Sequence, residues 1–349
     1  MDDTALLLSQ VDLAQVARKG LQLPEHASIT VSEVTRWANL NYVFKVTADG
    51  FSMYLKVVMD TPKLMKINLP KERIFFEAEA IRKFRELCGS TVVVPEVFFI
   101  DREAYALGMS DVGGGRRVLM EVIDDQYSLL VAQAIPLGTA LGKVHSSSRG
   151  SAPFRPEQFE RILQNVVVGG LLAPGAKVLF EDHWPAIAGQ MMANRECIIH
   201  GDLWAKNLLV SDRAAPSIVD FEGCAIGDPA FDIGTLLAVA AIPALQNPAL
   251  MESCIEFTET LIAAYSKAAK DNLWAKDSLW ASTVCARAYL YAGTFLAARG
   301  FGPFAYPLSD GARERLAGLA RSLSIQPPTD LKAYCDRLVE HCPVAEPAM

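Results

Sequence analysis

The chain has 349 residues, enough for two lobes that each bury a core, and its 51% hydrophobic and 21% charged residues exclude an intrinsically disordered protein. A net charge of −7 argues against a nucleic-acid backbone or an anionic membrane as the main partner. Seven scattered cysteines, odd in number and without a C-x-x-C pair, argue against a disulfide framework or a zinc site; with no signal-peptide pattern after Met1-Asp2-Asp3-Thr4, reduced thiols in a cytoplasmic protein are expected.

In chain order, residues 4–20 read as a short amphipathic helix ending at Gly20. Ser28–Thr35 alternates as a strand does. Tyr42–Thr47 and Ser52–Val58 are rich in β-branched and aromatic residues, with an Asp49-Gly50 hairpin signal between them. After a loop at 60–70 comes a helix from about Lys71 to Leu87, with Ile74, Glu77, Ala78, Ile81, Phe84 and Leu87 on one face. Val92–Ile100 and Tyr105–Met109 read as two further strands around a turn at Asp101-Arg102. Beyond Gly113-Gly114-Gly115 the pattern becomes mainly helical, with a helix over Leu129–Ser146 and a series of helices over 251–340. Between them, Leu208–Val210 and Ser217–Val219 read as short strands. The longest apolar run, near Ile233–Leu245, is too short to span a bilayer.

The middle segment concentrates the polar chemistry. "IIHGDLWAKNLLV" (Ile198–Val210) sets His200, Asp202, Lys206 and Asn207 between two apolar runs, and "SIVDFEG" (Ser217–Gly223) ends an apolar run on Asp220. Gly201 permits a tight turn carrying Asp202. Two strands joined by a short turn place Asn207 and Asp220 side by side at one sheet edge. That supplies two oxygen ligands for a hard cation such as Mg²⁺, with the Asp202 carboxylate close by as a base. Phosphoryl transfer asks for this arrangement, because catalysis there consists of aligning a hydroxyl, holding metal-bound phosphates and offsetting charge.

The H-G-D-x-x-x-x-N spacing followed by a strand-terminal Asp resembles the aminoglycoside phosphotransferase and choline kinase family, relatives of the protein kinases. "NLNYVFKV" (Asn39–Val46), "LPKERIFFEAEAIRKF" (Leu69–Phe84), "VPEVFFIDREAYALGMSDV" (Val94–Val112) and "GDPAFDIGTLLA" (Gly227–Ala238) resemble, in order, its methylthioribose kinase branch. The set is specific where H-G-D alone is not. The resemblance implies an α+β, bilobal, protein-kinase-like fold. Residues 1–112 would form a small antiparallel-sheet lobe with one inserted helix, and residues 113–349 a larger, mainly helical lobe.

It also implies an ATP- and Mg²⁺-dependent kinase that transfers the γ-phosphate to a hydroxyl of a small metabolite: a sugar such as methylthioribose, an aminoglycoside or an amino alcohol. Asp202 would be the base, and Asn207 and Asp220 the metal ligands. Lys56, a lone lysine in the apolar run "YLKVV", would meet the nucleotide phosphates, held by a glutamate of the inserted helix. Glu77 lies on that helix's apolar face and Glu79 on its outer face, so Glu77 is the expected partner. Met109–Val112, including Ser110 and Val112, would be the hinge against the adenine. The phosphate-covering loop "RWANLNY" (Arg36–Tyr42) has no glycine, which leaves backbone N–H groups with Asn39 or Asn41 to assist. Trp204, Lys206 and Glu222 are candidates to face the acceptor. His200, His145 and Asp232 read as structural, Asp232 bracing the catalytic loop.

A protein of another class, a non-catalytic nucleotide- or ligand-binding protein on a kinase-like scaffold, would share the fold. Such a protein would be expected to have lost Asp202, Asn207, Asp220 or Lys56, and all four are present. "GTALGKV" (Gly138–Val144) is not a P-loop, since it has three residues between its glycines and Val144 where Ser or Thr is needed.

Overall fold

The computed structural model describes residues 11–34, 41–48, 50–59, 69–150, 163–271 and 279–342. Most of the Gly-free loop, Asn39 within it, Asp49 and residues 1–10 lie outside these. The chain divides into two compact units, residues 1–86 with 93–114, and residues 87–92 with 115–349.

The first unit is built on a five-stranded antiparallel sheet of β1 (Ile29–Glu33), β2 (Tyr42–Ala48), β3 (Phe51–Val57), β4 (Val97–Asp101) and β5 (Ala106–Ser110), in the order β1-β2-β3-β5-β4. Helix α1 (Leu13–Leu21) is capped by Asp12, whose carboxylate accepts from Gln15 N–H at 2.9 Å. Its Leu13, Val16 and Ala17 share one buried cluster with Tyr42, Phe44 and Val46 of β2 and Met53, Leu55 and Val57 of β3. The period of two in β3 therefore turns Tyr54 and Lys56 to the other face. Helix α2 (Arg73–Cys88) buries Ile74, Glu77, Ala78, Ile81, Phe84 and Cys88, one stripe at helical spacing. The expected strand over Val92–Ile100 is shorter in fact. Pro95 has no N–H for a ladder, and β4 begins at Val97.

The second unit carries two small sheets and most of the helices. Antiparallel β6 (Arg117–Val118), β8 (Leu208–Val210) and β9 (Ser217–Ile218) form one; β7 (Cys197–Ile199) and β10 (Ala225–Gly227) form the other. The helix expected over Leu129–Ser146 is broken at Ala132-Gln133. After the single-turn helix α3 (Leu119–Val122) come another, α4 (Ser128–Val131), and then α5 (Ala134–Ser148). Leu163–Leu172 is a π-helix of 10 residues that continues as α6 (Ala173–Phe180), followed by α7 (Trp184–Ala193). Then come α8 (Ala230–Gln246), α9 (Met251–Asp271), α10 (Trp280–Phe301), α11 (Asp310–Ile325) and α12 (Leu331–His341).

Helix α8, the apolar run of the sequence, is buried on all sides from Ala230 to Leu245. Among the described residues, Leu163–Phe180 is long and apolar enough to cross a membrane by composition alone, but 56% of it is buried inside the molecule, as in a core helix. All seven cysteines are buried and none is in a disulfide. An antiparallel sheet with an inserted helix, followed by a mostly helical part, is the protein-kinase-like plan.

Candidate active site

In the first unit, Lys56 on β3 donates to Glu77 Oε1 on α2 at 2.7 Å, and both side chains are buried, 4% and 3% exposed. Glu79, two positions along α2, is exposed. The helix phase alone decides between them, since a residue two positions along faces away. Asn41 is buried, and its Oδ1 accepts from Arg73 Nη2 at 2.8 Å, which ties the start of β2 to the first turn of α2. At the end of β5 the Ser110 N–H donates to the Glu96 carbonyl at 2.9 Å, and Ser110 Oγ accepts from Glu96 N–H at 2.8 Å. The Ser110 N–H is thus already committed. Asp111 fixes the following turn by accepting from Gly113 N–H at 2.8 Å, and it pairs with Lys45 at 3.1 Å. Val112 is half-buried beside it.

In the second unit the polar turn runs from β7 to β8. Gly201 takes φ +78°, and a Cβ there would lie 2.1 Å from the Gly223 carbonyl oxygen, so only glycine fits. Asp232, at the start of α8, is fully buried and holds this turn with both oxygens. Oδ2 accepts from His200 N–H at 2.8 Å and Oδ1 from Gly201 N–H at 2.9 Å, while His145 Nε2 stands 3.2 Å from Oδ2. Both oxygens are engaged by protein groups, which makes Asp232 the brace of the loop. The Asp202 N–H donates to His200 Nδ1 at 3.3 Å, so His200 carries its proton on Nε2 and donates it to the Val219 carbonyl at 3.1 Å. Burial pushes the His200 pKa down, against the pull of Asp232, Asp202 and Asp220.

Asp202 is held from the far side of the turn. Asn207 Nδ2 donates to its backbone oxygen at 2.8 Å and to its Oδ2 at 2.9 Å. The β8–β9 register pairs Leu208 with Ile218, and Val219 N–H donates to the Asn207 carbonyl at 3.0 Å. Asn207 and Asp220 therefore meet at the same end of that ladder. Asp220 itself is left-handed, φ 66° and ψ 68°, a conformation that costs an L-residue about 1–2 kcal/mol and that gathers at functional sites. With the Asn207 nitrogen engaged, Oδ1 is the atom it can offer a cation. One amide oxygen and one carboxylate suit a hard cation that completes its shell on phosphate and water. Among the described residues there is no cluster of three or more His, Cys, Asp or Glu side chains that would hold a metal alone.

Lys206 Nζ lies 3.5 Å from Asp202 Oδ2. Burial works to lower its pKa, but Asp202, Asp220 and Glu222 together raise it. Trp204 is buried, and the guanidinium of Arg299 sits 4.1 Å from its ring centroid. Arg299 Nη2 is 3.7 Å from Asp202 Oδ1. Burial pulls its pKa down to about 10, with Asp202 opposing, so it keeps its charge at neutral pH. Sequence reasoning missed Arg299, which lies 97 positions after Asp202 in the chain. The signal available was the one charged residue within the otherwise uncharged run Ala288–Gly300 of α10, which is buried throughout.

The profile of the phosphotransferase enzyme family (APH) matches residues 30–280. Methylthioribose kinase 2 of Oryza sativa subsp. japonica is 24% identical over 256 residues, 64% of this chain and 58% of that protein. Methylthioribose kinase 1 of the same plant is 36% identical over 84 residues, 24% of this chain and 19% of that protein. The chain thus spans less than two thirds of the length of either. Among solved structures, amicoumacin kinase hAmiN in complex with AMP-PNP and Ca²⁺ aligns over 94% of this chain and 98% of its own, at 17% identity and a TM-score of 0.52. A microcompartment-associated aminopropanol kinase aligns over 91% and 99%, at 17% identity and a TM-score of 0.50. These two likenesses are of fold. The profile covers well over half of the chain and takes in both Lys56 with Glu77 and the Asp202–Asn207–Asp220 turn, and on that ground the chain belongs to the phosphotransferase enzyme family.

Proposed function

We propose that the chain is an ATP-dependent small-molecule kinase that transfers the γ-phosphoryl group to a hydroxyl of a small metabolite. The observation that carries the reading is the Asp202 turn, clamped by Asn207, with Asp220 held in a left-handed conformation at the same ladder end. Asp202 accepts the proton of the acceptor hydroxyl as its oxygen attacks the γ-phosphorus and ADP leaves. Lys56, held by Glu77, meets the nucleotide phosphates. Asn207 Oδ1 and the Asp220 carboxylate would hold magnesium, which neutralises phosphate charge when bound.

Asn41 stays a proposed phosphate contact: Arg73 engages its Oδ1, and the donor that phosphate takes would be Nδ2. With the Ser110 N–H committed to Glu96, the proposed adenine contacts are the Ser110 carbonyl and the Val112 backbone. Asn39 lies outside the described residues. Lys206 and Trp204 line the acceptor side of Asp202, with Glu222 acting on Lys206. The two rice relatives favour methylthioribose as the first acceptor to try. No nucleic-acid or membrane partner is proposed, and the cytoplasm is the compartment that buried cysteines outside any disulfide suit.

The test is magnesium-dependent ADP release from ATP with methylthioribose, related pentoses, choline, homoserine and aminoglycosides. One acceptor should be turned over well above the ATP-only background. Tight binding of nucleotide with no turnover for any acceptor class would favour the non-catalytic scaffold instead.

A further inference from the structure

Arg299 is the group near Asp202 that the reading above leaves without a task. A buried guanidinium is costly to keep, and this one is only 7% exposed in its side chain. Its Nε has no hydrogen-bond partner among the described residues. Its Cζ lies 4.1 Å from the Trp204 ring centroid and its Nη2 faces Asp202 Oδ1. On the other carboxylate oxygen stands Lys206, at 3.5 Å. Asp202 therefore has a cation of the chain beside each oxygen, and the buried aromatic ring next to it is already covered by one. The nearby Glu222 acts on Lys206 as well. A site that recognises an ammonium needs the reverse: an open aromatic face and a carboxylate not yet neutralised.

We infer that Arg299 is a specificity-determining residue, which makes the acceptor subsite select neutral, polyhydroxylated molecules and reject cationic amines by holding the Trp204 ring and the Asp202 oxygen that a substrate ammonium would need. This rests on reading the chain as a small-molecule kinase with Asp202 at the reacting hydroxyl. Removing the guanidinium would uncover the ring and release one side of Asp202, creating an ammonium site of the ordinary kind.

The experiment measures binding, not turnover, so that it can be judged apart from the kinase reading. The full chain is titrated calorimetrically with methylthioribose and with choline, in magnesium and a non-hydrolysable ATP analogue. Wild type should bind the sugar at least about ten-fold more tightly than choline. Arg299→Met should gain choline affinity by about ten-fold, the scale of one desolvated cation–π contact. The double variant Arg299→Met/Trp204→Leu should lose that gain, whereas Arg299→Lys should keep choline out. Should the Met variant fail to fold by circular dichroism, the neutral Arg299→Gln is read in the same way. Wild type binding choline as tightly as the sugar, or a folded, neutral Arg299 variant with no gain for choline, would overturn the inference. Absence of ATP turnover with every acceptor would count against the kinase reading alone.

Discussion

Glu77→Ala removes the carboxylate that sits 2.7 Å from a buried ammonium. Lys56 and Glu77 are 2.7 Å apart with almost no exposure, so neither charge can turn to water when its partner is removed. At an effective dielectric constant of about 20 their attraction is about 6 kcal/mol, before the desolvation that offsets most of it. Removing one partner of such a pair costs about 3–5 kcal/mol, chiefly the penalty of the charge left behind. Domains have margins of about 5–15 kcal/mol, so the loss is a large share.

Glu77→Ala and Lys56→Ala should each lower the urea midpoint of the first unit, and each should weaken ATP binding, Lys56→Ala more because in the proposed function Lys56 carries the charge that meets phosphate. On that proposal Glu77 acts on nucleotide through Lys56, so the double variant should be little worse than Lys56→Ala alone. The pair Lys56→Met/Glu77→Leu, which removes both buried charges, should recover most of the stability while ATP affinity stays low. Glu79→Ala, at an exposed position, should change stability by no more than about 0.5 kcal/mol. The assays are urea unfolding by fluorescence and ATP titration by calorimetry. Multiplying effects of Lys56→Ala and Glu77→Ala on affinity, or a damaging Glu79→Ala beside a silent Glu77→Ala, would refute the reasoning.

Three further outcomes are expected. Asp220→Ala should abolish magnesium-dependent ATP binding and Asn207→Ala should weaken it less, because a carboxylate holds a hard cation better than an amide oxygen; calorimetry with and without magnesium decides, and the reverse ranking would mean the ligands are exchanged. Gly201→Ala should collapse the turn, since the new Cβ would sit 2.1 Å from the Gly223 oxygen at φ +78°; a thermal melt close to that of wild type would contradict the geometry. Burial depresses the folded-state pKa of His200, so the folded chain keeps it neutral while the unfolded chain protonates it below about 6.5. That contribution is present above pH 6.5 and is lost as pH falls through the window beneath it. The difference in melting temperature between wild type and His200→Gln should therefore shrink from pH 7.5 to pH 5, and a constant difference would show that His200 does not titrate in this way.

The parts of the site that were legible in the sequence are those set by local geometry. Gly201, Asp202 and Asn207 lie within seven residues, and the β8–β9 ladder that brings Asp220 to them needs only a short turn. The choice of Glu77 over Glu79 is a matter of helix phase, which the apolar spacing of Ile74, Ala78 and Ile81 already shows. Long-range pairings were not legible. Arg73, 32 positions from Asn41, engages the Oδ1 of that side chain, a pairing that no local pattern announces. Arg299 reaches Asp202 only because α10 ends beside the turn. Boundaries failed where one residue governs them, as Pro95 delays β4. Helices α6 and α7 gave no clear amphipathic stripe to read, because both are largely apolar.

The most direct measurement of the central claim is a single-turnover transfer of ³²P from the γ-position of ATP to the best acceptor, comparing wild type with Asp202→Asn at matched nucleotide occupancy. Asparagine is nearly isosteric, so fold and ATP affinity should be kept while the base is lost. Label transfer should slow by about 10²–10⁴-fold, the usual contribution of a general base, with ATP affinity unchanged. Transfer within a factor of about two of wild type would show that Asp202 is not the group that receives the acceptor's proton.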